Sequence, residues 1–198
     1  LDKRAKQFAK EEGIPEGLIF EFENPYYSYL KAWKSQFTPN EISKTININK
    51  KYYLYAPEPL SKFGLKKKFG FDEFQVLKFI INNIFQKGIN HDYILVYKCH
   101  PNQSAKFVEK MIQNNYLPDE IDNILILNDS IININDLIFH SKGVLGIFSN
   151  SLVESVLIGK KTAQIIPYLS DPHLNPLTNV EGIVSIKNGD DFLNFLKD

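Results

Sequence analysis

From Tyr52 onward the chain alternates short apolar runs with amphipathic segments, and nothing else in it constrains the fold as strongly. Runs rich in Tyr, Ile, Leu and Val at 52–56, 93–97, 124–127, 144–148, 162–166 and 183–186 read as strands. Between them, 72–85 carries Phe74, Val76, Leu77, Ile80, Ile81 and Ile84 at helical spacing and stops at Gly88. Further helices are expected at 105–114, 136–140, 151–158 (closed by Gly159) and 190–196. Strand and helix in strict alternation predict an α/β domain: a mostly parallel sheet of about six strands flanked by helices on both faces. Right-handed crossovers would put the strand-to-helix loops on one rim, so Pro57, His100, Asp129 and Ser149 should converge there.

The part before this alternation is different. Residues 1–12 read as an amphipathic helix ending at Gly13 and Pro15, 17–22 as a short strand, and 25–33 as a helix with Tyr26, Tyr29, Leu30 and Trp33 on one packing face. The two parts join across 37–51, and Leu1 in place of methionine reads as a piece of something longer. A length of 198 residues fits one ordinary domain, or one domain with a short appendage. Lys and Arg (23) balance Asp and Glu (23), which argues against a nucleic-acid partner; the local run Lys66-Lys67-Lys68 reads as a solvated loop. A single cysteine, Cys99, leaves no intrachain disulfide and no cysteine-built zinc site, which favours a reducing compartment, and the cytoplasm is the expected setting. No apolar stretch reaches the about 18 residues of a membrane span, and no secretory signal opens the chain.

Candidate chemistry gathers at the strand ends. His100 follows the second strand, and Pro101 holds its turn extended; a histidine there can donate a hydrogen bond to a phosphate and gains charge when one binds. Asn102 either joins that contact or caps the next helix. Further along, Ser149, Asn150 and Ser151 stand where the fourth strand gives way to a helix, so one of them caps it while free amides and the helix dipole face any anion docked above. Glu154, three residues after Ser151, makes a Ser-x-x-Glu capping box or accepts from ribose hydroxyls. Pro57 and Pro59 stiffen the loop after the first strand and set Glu58 close to the phosphate, facing an acceptor or a base amine. Asp129 and Ser130, past the third strand, line the same cleft or form a plain turn.

His-Pro after a strand, a later Ser-x-Ser with Glu, and the Gly159-Lys160 turn into the next strand together resemble the C-terminal, nucleotide-sugar-binding half of GT-B-type bacterial glycosyltransferases, in particular sialyltransferase-like and surface-polysaccharide enzymes of capsule or lipopolysaccharide biosynthesis. The resemblance covers about 52–195. It implies a Rossmann-like fold and an inverting, metal-independent transfer without a cofactor. The donor would be a nucleotide sugar, CMP-linked first and UDP-linked second, and the acceptor a glycan or glycolipid at the inner face of the membrane. By position, His100 is the catalytic phosphate contact, Ser149 and Ser151 hold the same phosphate with Pro101, Asn102 and Asn150 beside them, and Glu154 meets the ribose. Asn150 separates two serines where the family carries adjacent Ser-Ser or Ser-Thr.

Glu21-Phe22-Glu23-Asn24-Pro25-Tyr26-Tyr27 resembles the last strand and turn of such an enzyme's acceptor domain. On that reading 1–50 is a remnant of the acceptor domain with its linker, and 51–198 is the donor domain. The general base of these enzymes belongs to the acceptor domain; Glu11-Glu12-Gly13 has fitting letters but stands at a helix end, so this chain by itself is expected to be incomplete for catalysis. Two other readings compete. His100-Pro101-Asn102 also resembles the His-Pro-Asn turn of non-hydrolysing UDP-N-acetylglucosamine 2-epimerases, although the Ser-Gly-Gly stretch expected after the fourth strand is absent. The third is a non-catalytic interaction domain that docks a partner through its aromatic N-terminal segment.

Overall fold

In the computed structural model, which describes residues 3–20, 24–84, 93–116, 121–128, 132–178 and 180–197, the apolar runs pair into one sheet. Its strands are β1 (Lys51–Tyr55), β2 (Tyr93–Lys98), β3 (Ile124–Leu127), β4 (Gly143–Gly146), β5 (Thr162–Ile165) and β6 (Ile183–Ile186). They lie in the order β3-β2-β1-β4-β5-β6, and every neighbouring pair is parallel. This is the strand order of a Rossmann-like doubly wound sheet, which reverses direction between β1 and β4. On β1, Tyr53 faces Leu95 of β2 on one side and Gly143 of β4 on the other.

Period-two alternation divides the core into two layers. Tyr53, Tyr55, Leu95, Tyr97, Leu145, Ala163 and Ile165 point to one face. There they meet α5 (Glu73–Ile84), α6 (Ala105–Asn115) and the terminal helix α9 (Gly189–Lys197). Tyr52, Leu54, Val96 and Val144 point to the other, against α3 (Pro39–Thr45), α7 (Ile134–His140) and the start of α8 (Asn150–Leu157). A parallel sheet covered on both faces needs apolar side chains in both directions, and that is why the strands read as near-continuous apolar runs. In α5, Val76, Leu77, Ile80 and Ile81 are fully buried, each contributing about 1.5–3 kcal/mol.

The helix ends are fixed by side chains. Asp72 accepts from the backbone N–H of Phe74 (3.2 Å) and Gln75 (2.9 Å), and Gln75 returns a bond to the Asp72 N–H at 3.2 Å. Ser104 caps α6 and Asn133 caps α7 in the same manner. At the end of β4, a Cβ on Gly146 would lie 3.1 Å from Leu152 of α8 and 3.3 Å from the Ala56 carbonyl, so glycine lets α8 start hard against the sheet.

Two compact units make up the chain, Leu1–Trp33 and Lys34–Asp198. The smaller holds α1 (Lys3–Glu11) and α2 (Pro25–Lys31), with Tyr29 stacked on Tyr26 at a centroid spacing of 6.3 Å and edge-on to Trp33 at 5.3 Å. Three expectations differ from what is observed. The strand at 17–22 is instead a 3-10 turn at Glu16–Leu18 followed by unpaired chain, with Leu18 and Phe20 facing solvent; residues 21–23 lie outside the described residues. Within the supposed linker, α3 forms because Thr38 and Glu41 build a full capping box with Pro39 at its first turn, and Ile42 and Ile46 enter the core. Lys66-Lys67-Lys68 form the first turns of a short helix, α4 (Lys66–Phe69), closed by Gly70 at φ 85°, and Lys66 pairs with Asp72 at 2.7 Å.

Candidate functional site

A cleft of about 380 Å³ opens at the β1/β4 reversal. Three strand ends build it: Ala56, Pro57 and Glu58 after β1, Lys98 to Pro101 at the end of β2, and Phe148 to Ser151 between β4 and α8, with Ile134 of α7 completing the wall. In open α/β sheets ligands bind in the crevice at such a reversal. The sequence expectation that Pro57, His100 and Ser149 share one rim agrees with this geometry. Asp129 and Ser130 lie outside the described residues.

His100 is held in a defined state by its own turn. The Asn102 N–H donates to His100 Nδ1 at 3.1 Å, so a neutral ring carries its proton on Nε2. Its backbone N–H donates to Gln103 Oε1 at 3.2 Å, and the Gln103 N–H closes the turn onto the His100 carbonyl at 2.7 Å. Gln103 is in turn anchored on Glu73, its Nε2 donating to Oε1 at 3.0 Å. That carboxyl is fully buried and also takes the N–H and hydroxyl of Ser61 at 2.8 and 2.6 Å. Glu73 therefore ties the loop after β1 to the turn after β2. Burial pushes its pKa up, against the pull of the Ser61 hydrogen bonds.

Ser149 is the N-cap of α8, its hydroxyl accepting from the Ser151 N–H at 3.2 Å. Leu152 thus occupies the third helical position, and the Ser151-x-x-Glu154 capping box does not form, because the helix starts two residues earlier than that pattern requires. Glu154 sits a turn further along, beyond the residues that line the cleft. Asn102 lies on the outer side of its turn, where its carbonyl takes Lys62 Nζ at 2.5 Å, and it lines a neighbouring groove with Ser61, Lys62, Ser104 and Phe107. The cap of α6 is Ser104, so starting that helix is not the role of Asn102.

Glu58 has the least compensated environment in the cleft. Its Oε2 accepts from the Phe148 N–H at 3.1 Å, while its Oε1 is buried without a hydrogen-bond partner. Burial pushes the carboxyl up to about 7, opposed by the Phe148 amide and the Glu58 amide and reinforced by the charge of Glu73. Sequence reasoning passed over several contributors. Lys98, only 3% exposed at the end of β2, lines the cleft and donates from Nζ to the Asn128 carbonyl at 3.2 Å; a lysine ending an apolar strand just before His-Pro was the available signal. Phe148 packs against Phe69 with ring centroids 4.8 Å apart and the rings tilted by 45°, and Gln164 of β5 holds the Ile147 carbonyl at 2.8 Å, fixing the loop into α8. Glu73 and Gln103 had no local signal, since their role exists only once three loops meet. Among the described residues, no group of three or more His, Cys, Asp or Glu is placed to hold a metal, and no helix is long and apolar enough to cross a membrane.

No protein-family model matches the chain. A stretch of 98 residues, 48% of the chain, is 26% identical to Protein Ycf2 of Mesostigma viride and covers 11% of that protein. Among solved structures, UDP-GlcNAc 2-epimerase from Methanocaldococcus jannaschii superposes with a TM-score of 0.61 at 14% identity, over 100% of this chain and 53% of that one. The S. aureus MnaA-UDP co-structure gives 0.62 at 17% identity, over 98% and 48%. The wall teichoic acid polymerase TagF gives 0.56 at 15% identity, over 100% and 47%. The chain spans about half the length of these structures. What they share with it is the architecture: a Rossmann-like α/β fold of the GT-B kind.

Proposed function

We propose that this chain is the nucleotide-sugar-binding part of a glycosyltransferase, gripping the nucleoside phosphate that leaves as the sugar is moved onto a glycan or glycolipid acceptor. The observation that carries the reading is the meeting of His100, Lys98 and the capped N-terminus of α8 in one cleft at the β1/β4 reversal. Each favours an anion: the imidazole by a hydrogen bond from Nε2, the ammonium by its charge, the helix by its dipole. Charge that develops on a departing phosphate is stabilised where such donors are already in place. In this reading His100 is the catalytic contact, Ser149, Asn150 and Ser151 supply the anion site, and Pro101 and Asn102 hold the histidine's turn. The transfer is inverting and needs no metal; Glu154 stands outside the cleft lining, and Asp129 and Ser130 lie outside the described residues. Activation of the acceptor hydroxyl comes from a separate acceptor domain, of which 1–50 are the remnant and linker, and the site works in the cytoplasm at the membrane's inner face.

CMP-sugars were the donor favoured by the sequence resemblance. UDP-sugars gain weight because solved structures of this architecture hold UDP, in MnaA, and UDP-GlcNAc with UDP, in the M. jannaschii epimerase. The same likeness supports a second reading, a UDP-sugar 2-epimerase or hydrolase. Thermal unfolding with CMP, UDP, GDP and their sugar conjugates separates these. A nucleotide at about 100 times its Kd adds about 2.7 kcal/mol, a rise of several degrees for a chain of this size. Cytidine selectivity lost in His100→Ala supports a CMP-sugar transferase. Uridine selectivity lost in that variant supports a UDP-sugar enzyme, with release of sugar onto an acceptor or its epimerisation deciding between the two. No response to any nucleotide refutes both and leaves a non-catalytic interaction domain.

A further inference from the structure

Among the polar side chains that line the cleft, Lys98, His100, Ser149, Asn150 and Ser151 can meet an anion, and Glu58 is the acidic one. An ionised carboxylate there would leave Oε1 desolvated and without a donor, in a site whose proposed ligand is itself negative. A neutral carboxyl resolves the conflict. Oε2, as the carbonyl oxygen, keeps the Phe148 N–H at 3.1 Å, and Oε1, as the hydroxyl, has a proton to give and no protein acceptor to receive it. Its backbone is fixed by the flanking Pro57 and Pro59 and by the Leu60 N–H on the Glu58 carbonyl at 2.9 Å, and the Phe148 N–H holds the side chain toward the cleft. Resting on the nucleotide-binding reading above, we propose that Glu58 is the proton-coupled half of the phosphate grip, meeting the ligand as a neutral carboxyl whose Oε1 donates to a phosphate oxygen, so that binding draws one proton from solvent.

The surrounding charges act in two directions. Glu73, behind the loop on α5, disfavours the Glu58 anion, and the Tyr55 hydroxyl on β1 lies in the same buried layer. Lys98 and His100 at the end of β2 favour an anion, whether that is the carboxylate or the ligand. From the β4–α8 loop come the Phe148 amide and the Ser149 hydroxyl. A docked phosphate takes up the Lys98 and His100 attraction and adds its own negative charge, so the carboxyl is driven further toward its neutral form. Burial already holds that carboxyl near neutrality, ready to respond.

Calorimetric titration of UDP and of CMP, each in two buffers of different protonation enthalpy, counts the protons bound. For the nucleotide that binds, wild type should take up a proton at pH 7.5 to 8, and its affinity should fall by about tenfold per pH unit on the alkaline side. Glu58→Gln should still bind but lose this uptake, with a flattened pH profile. Uptake that persists in Glu58→Gln assigns the proton to His100 and overturns the proposal, as does proton release, which would mean that Glu58 accepts from a ribose hydroxyl as an anion. Should Glu58→Gln fail to fold, carbon-13 titration of the Glu58 carboxyl in wild type decides the matter: its midpoint must rise on adding the nucleotide. Binding of neither nucleotide removes the phosphate-site reading itself, and the proposal with it.

Discussion

Replacing Glu58 by glutamine removes a titration that the fold displaces, and the effect can be worked out without any ligand. Burial lifts the Glu58 carboxyl from 4.5 to about 7, partly opposed by the Phe148 amide and aided by Glu73. Because the folded chain disfavours the charged form, this group's share of stability is fully present below pH 4.5, is lost as the pH rises toward 7, and stays lost above it. A displacement of that size is worth about 3 kcal/mol, a sizeable part of the 5–15 kcal/mol of a typical domain. Glutamine keeps an acceptor for the Phe148 N–H and does not ionise. The stability of Glu58→Gln relative to wild type should therefore grow by up to about 3 kcal/mol between pH 4.5 and 8. Glu73 is also pushed up, but it is present in both proteins and largely cancels in the difference. Denaturant unfolding at several pH values, with the slope m checked for constancy, measures it. Parallel stability curves would refute the reasoning. So would a gap that opens the other way, which would mean that the empty cleft holds Glu58 as a paired anion.

Gln103→Leu should cost about 2 kcal/mol in unfolding free energy by stranding the His100 N–H and removing one donor from Glu73, and it should shrink the nucleotide-dependent thermal shift; an unchanged shift would show that the His100 turn holds without it. Gly182→Ala should destabilise by about 1–3 kcal/mol, because Gly182 has φ 86° and an added Cβ would lie 2.6 Å from Val156 Cγ1. Adding Val156→Ala should relieve the clash but not the backbone strain, so a double variant as stable as Val156→Ala alone would contradict the assignment.

Legibility in the sequence followed the range of the interactions involved. The helix from Glu73 to Ile84 was readable because six apolar residues at helical spacing are a local signal. The helix at Pro39–Thr45 was equally readable from Thr38, Pro39 and Glu41, and was overlooked because its apolar face is only two residues wide. The apolar run at 17–20 misled for the opposite reason: alternation is a strand signal only where a neighbouring strand takes the backbone hydrogen bonds. Ser151-x-x-Glu154 matched a capping box, but the end of β4 and the Gly146–Leu152 contact set where the helix begins, and Ser149 took the cap.

By itself the sequence determined the alternating α/β class, the two-faced burial of the strands and the strand-end positions of Pro57, His100 and Ser149, since these depend on periodicity and turn chemistry within a few residues. Only the tertiary structure decided that β1 and β4 are neighbours, because strand order is a choice among distant segments that no local pattern encodes. That one adjacency creates the cleft. It sets Glu58 against the β4–α8 loop, while the β1–β2 pairing lets Glu73 and Gln103 brace two loops far apart in the chain. Desolvation, the force that moves the titration of Glu58, is likewise a property of the assembled layers, absent from any segment taken alone.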